Sequence, residues 1–161
     1  MIWEFDRYKN NIAVRDEHGR AVSYAMLKDL GQGIADKIGE RCLVVSFCEN
    51  SIGSVVGYTA FVNNGIVPIL LNSHMDRELS ENLIVNYKPL YLWMPVSQTR
   101  YFEAYQDAEI LRMYDYVLLK TDFGMKYPLH TELCLMLTTS GSTGICPPKL
   151  PQCIIKCRFH R

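Results

Sequence analysis

The sequence predicts an α/β fold, in which a parallel-rich sheet has flanking helices. Two apolar runs rich in β-branched residues, 43–48 and 66–71, enclose a segment of helix length at 52–63. Continuous apolar runs are typical of strands that are covered on both faces. A strand–helix–strand order implies a right-handed crossover between parallel strands. Because apolar runs and segments with helical spacing go on alternating along the chain, the same architecture is expected throughout.

The first elements are predicted to be a hairpin and a helix. Residues 11–15 and 21–23 flank a polar stretch that ends in Gly19, which is typical of a short hairpin with a glycine turn. Ser23 suits the N-cap position of a helix that extends to about Ile38. The apolar residues that recur at helical spacing in this helix are Met26, Leu27, Leu30, Ile34 and Ile38.

The later elements follow the same logic of caps, apolar runs and breakers. Ser51 is the predicted cap of the helix over 52–63, which Asn64 and Gly65 end before the strand at 66–71. The remaining predicted elements are a helix over about 76–86, a strand over 90–94, a partly helical stretch over 99–113, a strand over 116–119 and a strand over 133–137.

The composition argues against two classes of protein, those that bind nucleic acids and those that span a membrane. Lys plus Arg and Asp plus Glu each number 17, so the formal net charge is zero, which argues against a nucleic-acid-binding surface. No apolar run approaches the ~18–20 residues that a membrane-spanning helix needs. The N-terminus also lacks a basic segment followed by an apolar one, the pattern of a signal peptide. We therefore expect a cytoplasmic protein without a membrane span or a nucleic-acid partner.

Cysteines and histidines give no clear metal site in the main part of the chain. Cys42, Cys48 and Cys134 lie in or beside apolar runs, where a free thiol behaves as a small hydrophobic group. No two histidines stand four residues apart with a glutamate between them, which excludes the zinc-protease motif. His74 and the other histidines of this part are expected to be solvated or to take part in packing.

The most informative stretch follows the predicted strand at 133–137. It combines hydroxyl side chains with two glycines: Thr138, Thr139, Ser140, Gly141, Ser142, Thr143 and Gly144. Glycine permits positive φ and a close approach of the backbone to a ligand. Successive amide groups can then form a nest for an anion, with the hydroxyls as further donors. Lys149 adds a cation that can reach a phosphate. The pattern predicts a polyphosphate-binding loop.

Other interpretations of this loop can be compared on spacing. Clusters of Gly, Ser and Thr also form ordinary turns and linkers. The Walker motif G-x-x-x-x-G-K-[ST] is absent, because Ile145 follows Gly144 and Leu150 follows Lys149. The serine-hydrolase pattern G-x-S-x-G is absent as well, since Gly141 and Gly144 do not stand two residues on either side of a serine.

The hexapeptide Thr139-Ser140-Gly141-Ser142-Thr143-Gly144, with Pro148-Lys149 shortly after it, resembles the phosphate-loop signature T-S-G-S-T-G-x-P-K of the AMP-forming adenylating enzymes. This superfamily includes the acyl-CoA synthetases and the adenylation domains of peptide synthetases. Residues 22–27 are similar to the family's (S/T)Y-x-x-L stretch at the start of a helix. Gly65 and Pro68 also have counterparts in the family's second strand region.

The resemblance implies that residues 1–145 are a partial N-terminal subdomain of the large adenylating domain. It also implies an acid–thiol ligase reaction that uses ATP and Mg²⁺, a carboxylic acid, and the thiol of CoA or of a carrier protein. The residues that it assigns to the phosphates of ATP are Thr139, Ser140, Gly141, Ser142, Thr143, Gly144 and Lys149. No catalytic residue and no metal ligand is assigned.

The resemblance ends at the phosphate loop. Ile145, Cys146 and Pro147 separate Gly144 from Pro148-Lys149, where the family has one residue. The two adjacent prolines lack amide donors just where an anion nest needs them, so the role of Lys149 is the least supported. The family's adenine-binding segments, acid pocket and mobile C-terminal domain all lie beyond this loop. We therefore expect a truncated ligase that is not competent alone; the alternative is a stand-alone nucleotide-binding or interaction module without catalysis.

Residues 146–161 form a basic, cysteine-rich tail that does not match the family pattern. Three interpretations remain: a metal site, a basic tail for a membrane or nucleic acid, and translation out of frame. The possible metal ligands are Cys146, Cys153, Cys157 and His160. Their spacing fits no common zinc pattern. The abrupt change of composition within a motif favours the change of reading frame.

Overall fold

The computed structural model describes residues 3–123, 126 and 128–138. This part of the chain contains three α-helices and eight strands. The strands form a small hairpin and a larger sheet. The helices are α1 (Tyr24–Ile38), α2 (Ile52–Asn63) and α3 (Arg77–Tyr87). The strands are β1 (Ile12–Arg15), β2 (Ala21–Ser23), β3 (Leu43–Cys48), β4 (Val67–Asn72), β5 (Tyr91–Pro95), β6 (Gln106–Met113), β7 (Tyr116–Thr121) and β8 (Met136–Leu137).

The larger sheet has the order β6-β7-β5-β3-β4-β8. Strand β3 is parallel to β4 and β5, and β8 is parallel to β4, whereas β6 and β7 form an antiparallel hairpin beside β5. Strands β1 and β2 pair with each other as the predicted hairpin. The expected α/β architecture with a parallel-rich sheet is therefore confirmed, with an antiparallel addition at one edge.

Helices α1 and α2 begin at the predicted cap residues, Ser23 and Ser51. The hydroxyl of Ser23 accepts a hydrogen bond from the amide of Met26 at the start of α1. Ser51 caps α2 in the same way, and the carboxylate of Asp76 caps α3. Gly39 ends α1 with a φ of 72°, in the left-handed region that favours glycine at a helix C-terminus.

Both faces of the sheet are covered, as continuous apolar strands require. Helices α1 and α2 pack on the face that presents Val44 and Leu118, and α3 packs on the face that presents Val45 and Val117. No helix in the described residues is both long enough and apolar enough to span a bilayer.

Helix α2 lies unusually close to the sheet because two glycines face the aromatic residues below it. A Cβ atom at Gly57 would stand 2.1 Å from Nε1 of Trp93, and one at Gly53 would stand 2.5 Å from Cδ2 of Tyr116. The indole N–H of Trp93 donates to the carbonyl oxygen of Gly53 at 3.1 Å. The hydroxyl of Tyr116 donates to the carbonyl oxygen of Phe47 at 2.8 Å. Helix α2 is thus fixed relative to β5 and β7.

Two predicted elements differ from the structure. The stretch over 99–113 forms short 3-10 helices up to Tyr105, but its second half is strand β6. Its helix-forming residues are overridden by antiparallel pairing with β7. The strand predicted over 133–137 contains only Met136 and Leu137 as paired residues, because the residues before them form a turn that contacts other parts of the chain.

Candidate functional site

The carboxyl ends of β3, β4 and β8 lie at one edge of the sheet. Parallel pairing places Cys48 at the end of β3 opposite Asn72 at the end of β4. Leu137 at the end of β8 lies opposite Leu70 of β4. The next residue, Thr138, therefore continues toward the carboxyl end of β4. Ligands of open α/β sheets bind outside the carboxyl ends of their strands, which makes this edge the candidate site.

An open cleft lies at this edge, in the loops that follow β3 and β4. Its lining residues are Cys48, Glu49, Asn50, Asn72 and His74. They present a thiol, a carboxylate, two amides and an imidazole, so the cleft is polar. Burial raises the pKa of the Cys48 thiol above its usual value, which keeps this thiol neutral at pH 7 and unsuited to nucleophilic attack.

Hydrogen bonds hold the loop after β4 against the end of β3. The side-chain oxygen of Asn72 accepts from the amide of His74 at 2.8 Å. The amide of Ser73 donates to the carbonyl oxygen of Cys48 at 3.1 Å. On the other side, the side-chain amide of Gln98 donates to the carbonyl oxygen of Ser73 at 2.9 Å. One wall of the cleft is therefore formed by a loop with a defined shape.

The start of α2 contributes to the electrostatics of the same edge. Its N-terminus carries a partial positive charge from the helix dipole, which favours anions. The amide of Glu49 donates to the hydroxyl of Ser54 at 3.3 Å, and Ser51 accepts from the amide of Ser54 at 3.3 Å. The carboxylate of Glu49 adds a negative charge beside this helix start. A polyanion at this edge is therefore favoured when a bound cation neutralises part of its charge.

The predicted phosphate-binding residues cannot be located, since Thr139, Ser140, Gly141, Ser142, Thr143, Gly144 and Lys149 lie outside the described residues. The structure reaches Thr138, directly before them. The tail over 146–161, with its possible metal ligands, lies outside the described residues as well. Within residues 3–123, 126 and 128–138, no three His, Cys, Asp or Glu side chains form a group that could hold a metal ion.

Sequence reasoning missed most of the residues that line the cleft. Glu49 and Asn50 follow the apolar run at 43–48, and Asn72 and His74 end or follow the next one. Polar residues at the carboxyl ends of two parallel strands were the signal that could have identified them. His74, expected to be solvated or packed, is exposed at the cleft.

A smaller pocket lies at the opposite, amino ends of the strands, between Arg41, Cys42, Lys88 and Lys126. Its cations have partners: Arg41 donates to backbone carbonyl oxygens, and Lys126 pairs with Glu40 at 2.7 Å. The amino edge is therefore the weaker candidate for an anion site.

Several solved structures have a similar fold. The O-succinylbenzoate coenzyme A synthetase (MenE) of Bacillus subtilis, in complex with AMP, aligns with a TM-score of 0.61 at 17% identity, over 86% of this chain and 38% of that one. The anthranilate CoA ligase AuaEII, in complex with anthranoyl-AMP, aligns with a TM-score of 0.56 at 14% identity, over 62% of this chain and 21% of that one.

ATP-bound MatB from Rhodopseudomonas palustris aligns with a TM-score of 0.52 at 21% identity, over 62% of this chain and 20% of that one. No protein-family model and no curated protein sequence matches the chain. The chain thus spans between 20% and 38% of the length of these three structures. At such identities the likeness shows the fold alone: the described residues fold like part of these three proteins.

Proposed function

We propose that this chain supplies the phosphate-binding edge of an AMP-forming adenylating enzyme. The observation that supports the proposal is the position of β8. This strand runs parallel to β4 and ends at Leu137, and only Thr138 separates it from the Thr139–Gly144 hexapeptide in the sequence. A loop that starts there begins at the edge with the polar cleft and the start of α2, where a polyphosphate is favoured.

The proposed reaction has two steps. In the first, a carboxylate oxygen of the acid attacks the α-phosphorus of MgATP, the bond from this phosphorus to the β-phosphate oxygen breaks, and an acyl-adenylate and pyrophosphate form. In the second, the thiol of CoA or of a carrier protein attacks the acyl carbon and AMP leaves. Charge accumulates on the departing pyrophosphate, so preorganised donors at this position lower the barrier.

Each loop residue has a proposed part in this stabilisation. The hydroxyls of Thr139, Ser140, Ser142 and Thr143 and the amides of the loop donate to the β- and γ-phosphates, while Gly141 and Gly144 let the backbone approach closely. Lys149 adds a point charge, at a spacing that differs from the signature because three residues instead of one separate Gly144 from Pro148.

Mg²⁺ enters the proposal as part of the substrate MgATP. The described residues hold no group of three metal-ligating side chains, so we assign no protein ligand to it. The chain's part in the reaction is contact with the phosphates, and we assign it no nucleophile or general base. The alternative is a stand-alone nucleotide-binding or interaction module without catalysis.

Calorimetric titration of the 161-residue chain with MgATP and with AMP tests the proposal. We expect MgATP to bind more tightly than AMP, since the contacts are to the β- and γ-phosphates. The double substitution Thr139→Ala and Ser140→Ala should weaken MgATP binding by about tenfold. Ser97→Ala, at an exposed position after β5, is the control and should leave it unchanged. No heat at millimolar MgATP would overturn the phosphate assignment.

A second assay tests whether the chain can carry out adenylation by itself. Pyrophosphate exchange into ATP is measured with the purified chain over a panel of carboxylic acids. We expect MgATP binding without exchange, because the chain is assigned phosphate contacts only. Exchange with any acid would show that the chain is competent by itself and would exclude the module without catalysis.

A further inference from the structure

The guanidinium of Arg41 holds together three segments that are distant in sequence. Its Nη1 donates to the carbonyl oxygen of Gly65. Its Nη2 donates to the carbonyl oxygens of His130, at 2.9 Å, and Leu133, at 2.7 Å. The acceptors lie 24, 89 and 92 residues away along the chain. We call this group of three hydrogen bonds the Arg41 clamp.

Each acceptor belongs to a segment that leads into a strand. Gly65 has a φ of 73° in the turn between α2 and β4, a conformation that glycine adopts without strain. His130 and Leu133 lie in a turn before β8, closed by the amide of Leu133, which donates to the carbonyl oxygen of His130 at 3.0 Å. The Arg41 clamp therefore joins the beginnings of β3, β4 and β8.

Strand β8 needs such support because its own pairing is short. It is two residues long, with Met136 opposite Ile69 and Leu137 opposite Leu70. Parallel pairing is also slightly less stable per residue than antiparallel pairing. Leu135 is buried and Met136 is partly buried against the core, but Leu137 is exposed, so packing anchors the segment only up to the first residue of the strand. A ladder of this length cannot by itself fix the position at which the chain leaves the sheet.

The side chain of Arg41 is suited to this role by its shape. A planar guanidinium presents several N–H donors in a fixed fork, so it can serve three carbonyl oxygens at once. A lysine ammonium at the end of a flexible stem can replace some of these hydrogen bonds but not their common geometry. Arg41 lies at the amino ends of the strands and the cleft with Glu49 lies at their carboxyl ends, so Arg41 can act on a ligand there only indirectly, through the strands that it joins.

We propose that Arg41 is a positioning residue: the Arg41 clamp sets the place and direction of β8, and thereby the point at which the chain leaves the sheet at Thr138, before the predicted phosphate loop. The effect on nucleotide binding rests on the function proposed above, whereas the effect on β8 does not. A change of Arg41 should therefore loosen the segment from His130 to Thr138 and weaken nucleotide binding, while the rest of the sheet stays intact.

The test compares Arg41→Ala, Arg41→Lys and the control Arg112→Lys in the full chain. Arg112 pairs with Glu109 on β6, at the opposite edge of the sheet. Hydrogen exchange is followed by mass spectrometry, and MgATP binding by calorimetry. In Arg41→Ala we expect amide exchange over residues 130–138 to be about tenfold faster and MgATP binding to be about tenfold weaker. Arg41→Lys should restore part of both, and the control should change neither.

Two results would overturn the proposal. One is exchange over residues 130–138 that stays at the wild-type rate in Arg41→Ala. The other is an equal acceleration in β3, β5 and β7, with no partial rescue by lysine, which would make Arg41 an ordinary stabilising residue. If the wild-type chain binds no MgATP, the proposed function fails, but the exchange data still decide whether the clamp positions β8.

Discussion

The two edges of the six-stranded sheet are held in different ways. At one edge, β6 has eight residues and pairs with β7 across a turn of two residues, Tyr114 and Asp115. At the other edge, β8 has two residues and pairs with β4. The first edge is held by its own ladder, and the second by the Arg41 clamp and the burial of neighbouring leucines.

This difference follows from sequence distance. Strands β6 and β7 are adjacent in the chain, so little loop-closure entropy opposes their pairing. Strand β8 is separated in the chain from β4, with which it pairs, by α3, β5, β6 and β7. Regions that bind ligands often come from the less stable parts of a fold. The edge with the longer ladder therefore has a structural role, while the edge with the shorter ladder leads into the proposed phosphate loop.

The first prediction has the largest expected effect. It tests whether the stability of both edges depends on the packing of helix α2 on the centre of the sheet. Gly57→Leu would place a side chain where Trp93 already lies, since even a Cβ atom would stand 2.1 Å from its Nε1. We expect a loss of more than about 3 kcal/mol of unfolding free energy, with both edges released together. Urea unfolding followed by circular dichroism measures the loss.

Gly33→Leu is the matched control for this substitution. Gly33 lies in α1, and a Cβ atom there would meet no other atom within 4 Å. Leucine also has the higher helix propensity, so this variant should be at least as stable as the wild type. A stable Gly57→Leu chain would show that α2 can move away from the sheet and that the centre does not control the edges.

The second prediction compares two buried leucines, one near each edge of the sheet. Leu118 of β7 is fully buried in the core, and Leu135 lies directly before β8 with 8% of its surface exposed. Leu118→Ala should lower the unfolding free energy by about 2.5 kcal/mol, because it leaves a cavity in the main core. Leu135→Ala should cost about 1 kcal/mol or less in global unfolding.

Hydrogen exchange distinguishes the two variants further. In Leu135→Ala we expect faster exchange confined to the segment around β8, and in Leu118→Ala faster exchange throughout the sheet. Equal losses of unfolding free energy in the two variants would show that β8 is part of the main cooperative unit. The contrast between the edges would then be wrong.

Most of the fold could be predicted from the sequence because most helices and strands carry their caps and apolar patterns within or directly beside their own residues. Ser23, Ser51 and Asp76 cap helices whose starts are visible in the sequence. Strand β6 was missed because Ala108, Glu109 and other helix-forming residues occupy an edge strand. Its state is decided by β7 and not by propensity.

The candidate site was predictable only in part, for a related reason. The hexapeptide and the apolar strand before it are contiguous, so the sequence shows them together. The cleft joins residues after β3 to residues after β4, and the Arg41 clamp joins residues 89 and 92 positions apart. Contacts of this kind depend on the order of strands in the sheet, which a single sequence does not state.

The last prediction uses pH to destabilise the centre of the sheet without a change in side-chain volume. Burial raises the pKa of the Cys42 thiol, at the start of β3, from 9.0 to about 12; Glu40 adds to the shift and Lys126 opposes it. The unfolded chain releases this proton near pH 9, while the folded chain keeps it. Stability should therefore fall as the pH rises above 9, by about 1.4 kcal/mol at pH 10 for this one group.

Cys42→Ala isolates this contribution, since it removes the thiol and its titration. The variant loses some stability at pH 7 from the smaller side chain, but its unfolding free energy should fall less between pH 8 and pH 10 than that of the wild type. Tyr91 and Tyr116 also have raised pKa values because of burial, and both remain in the variant. The contribution of Tyr116 therefore cancels in the comparison, whereas Cys42 also raises the pKa of Tyr91, so the difference between the two profiles includes this coupling. Parallel pH profiles of the variant and the wild type would show that the Cys42 thiol is accessible to water in the folded chain. The amino end of β3, next to Arg41, would then open as easily as the edge at β8, and the difference between the centre and that edge would disappear.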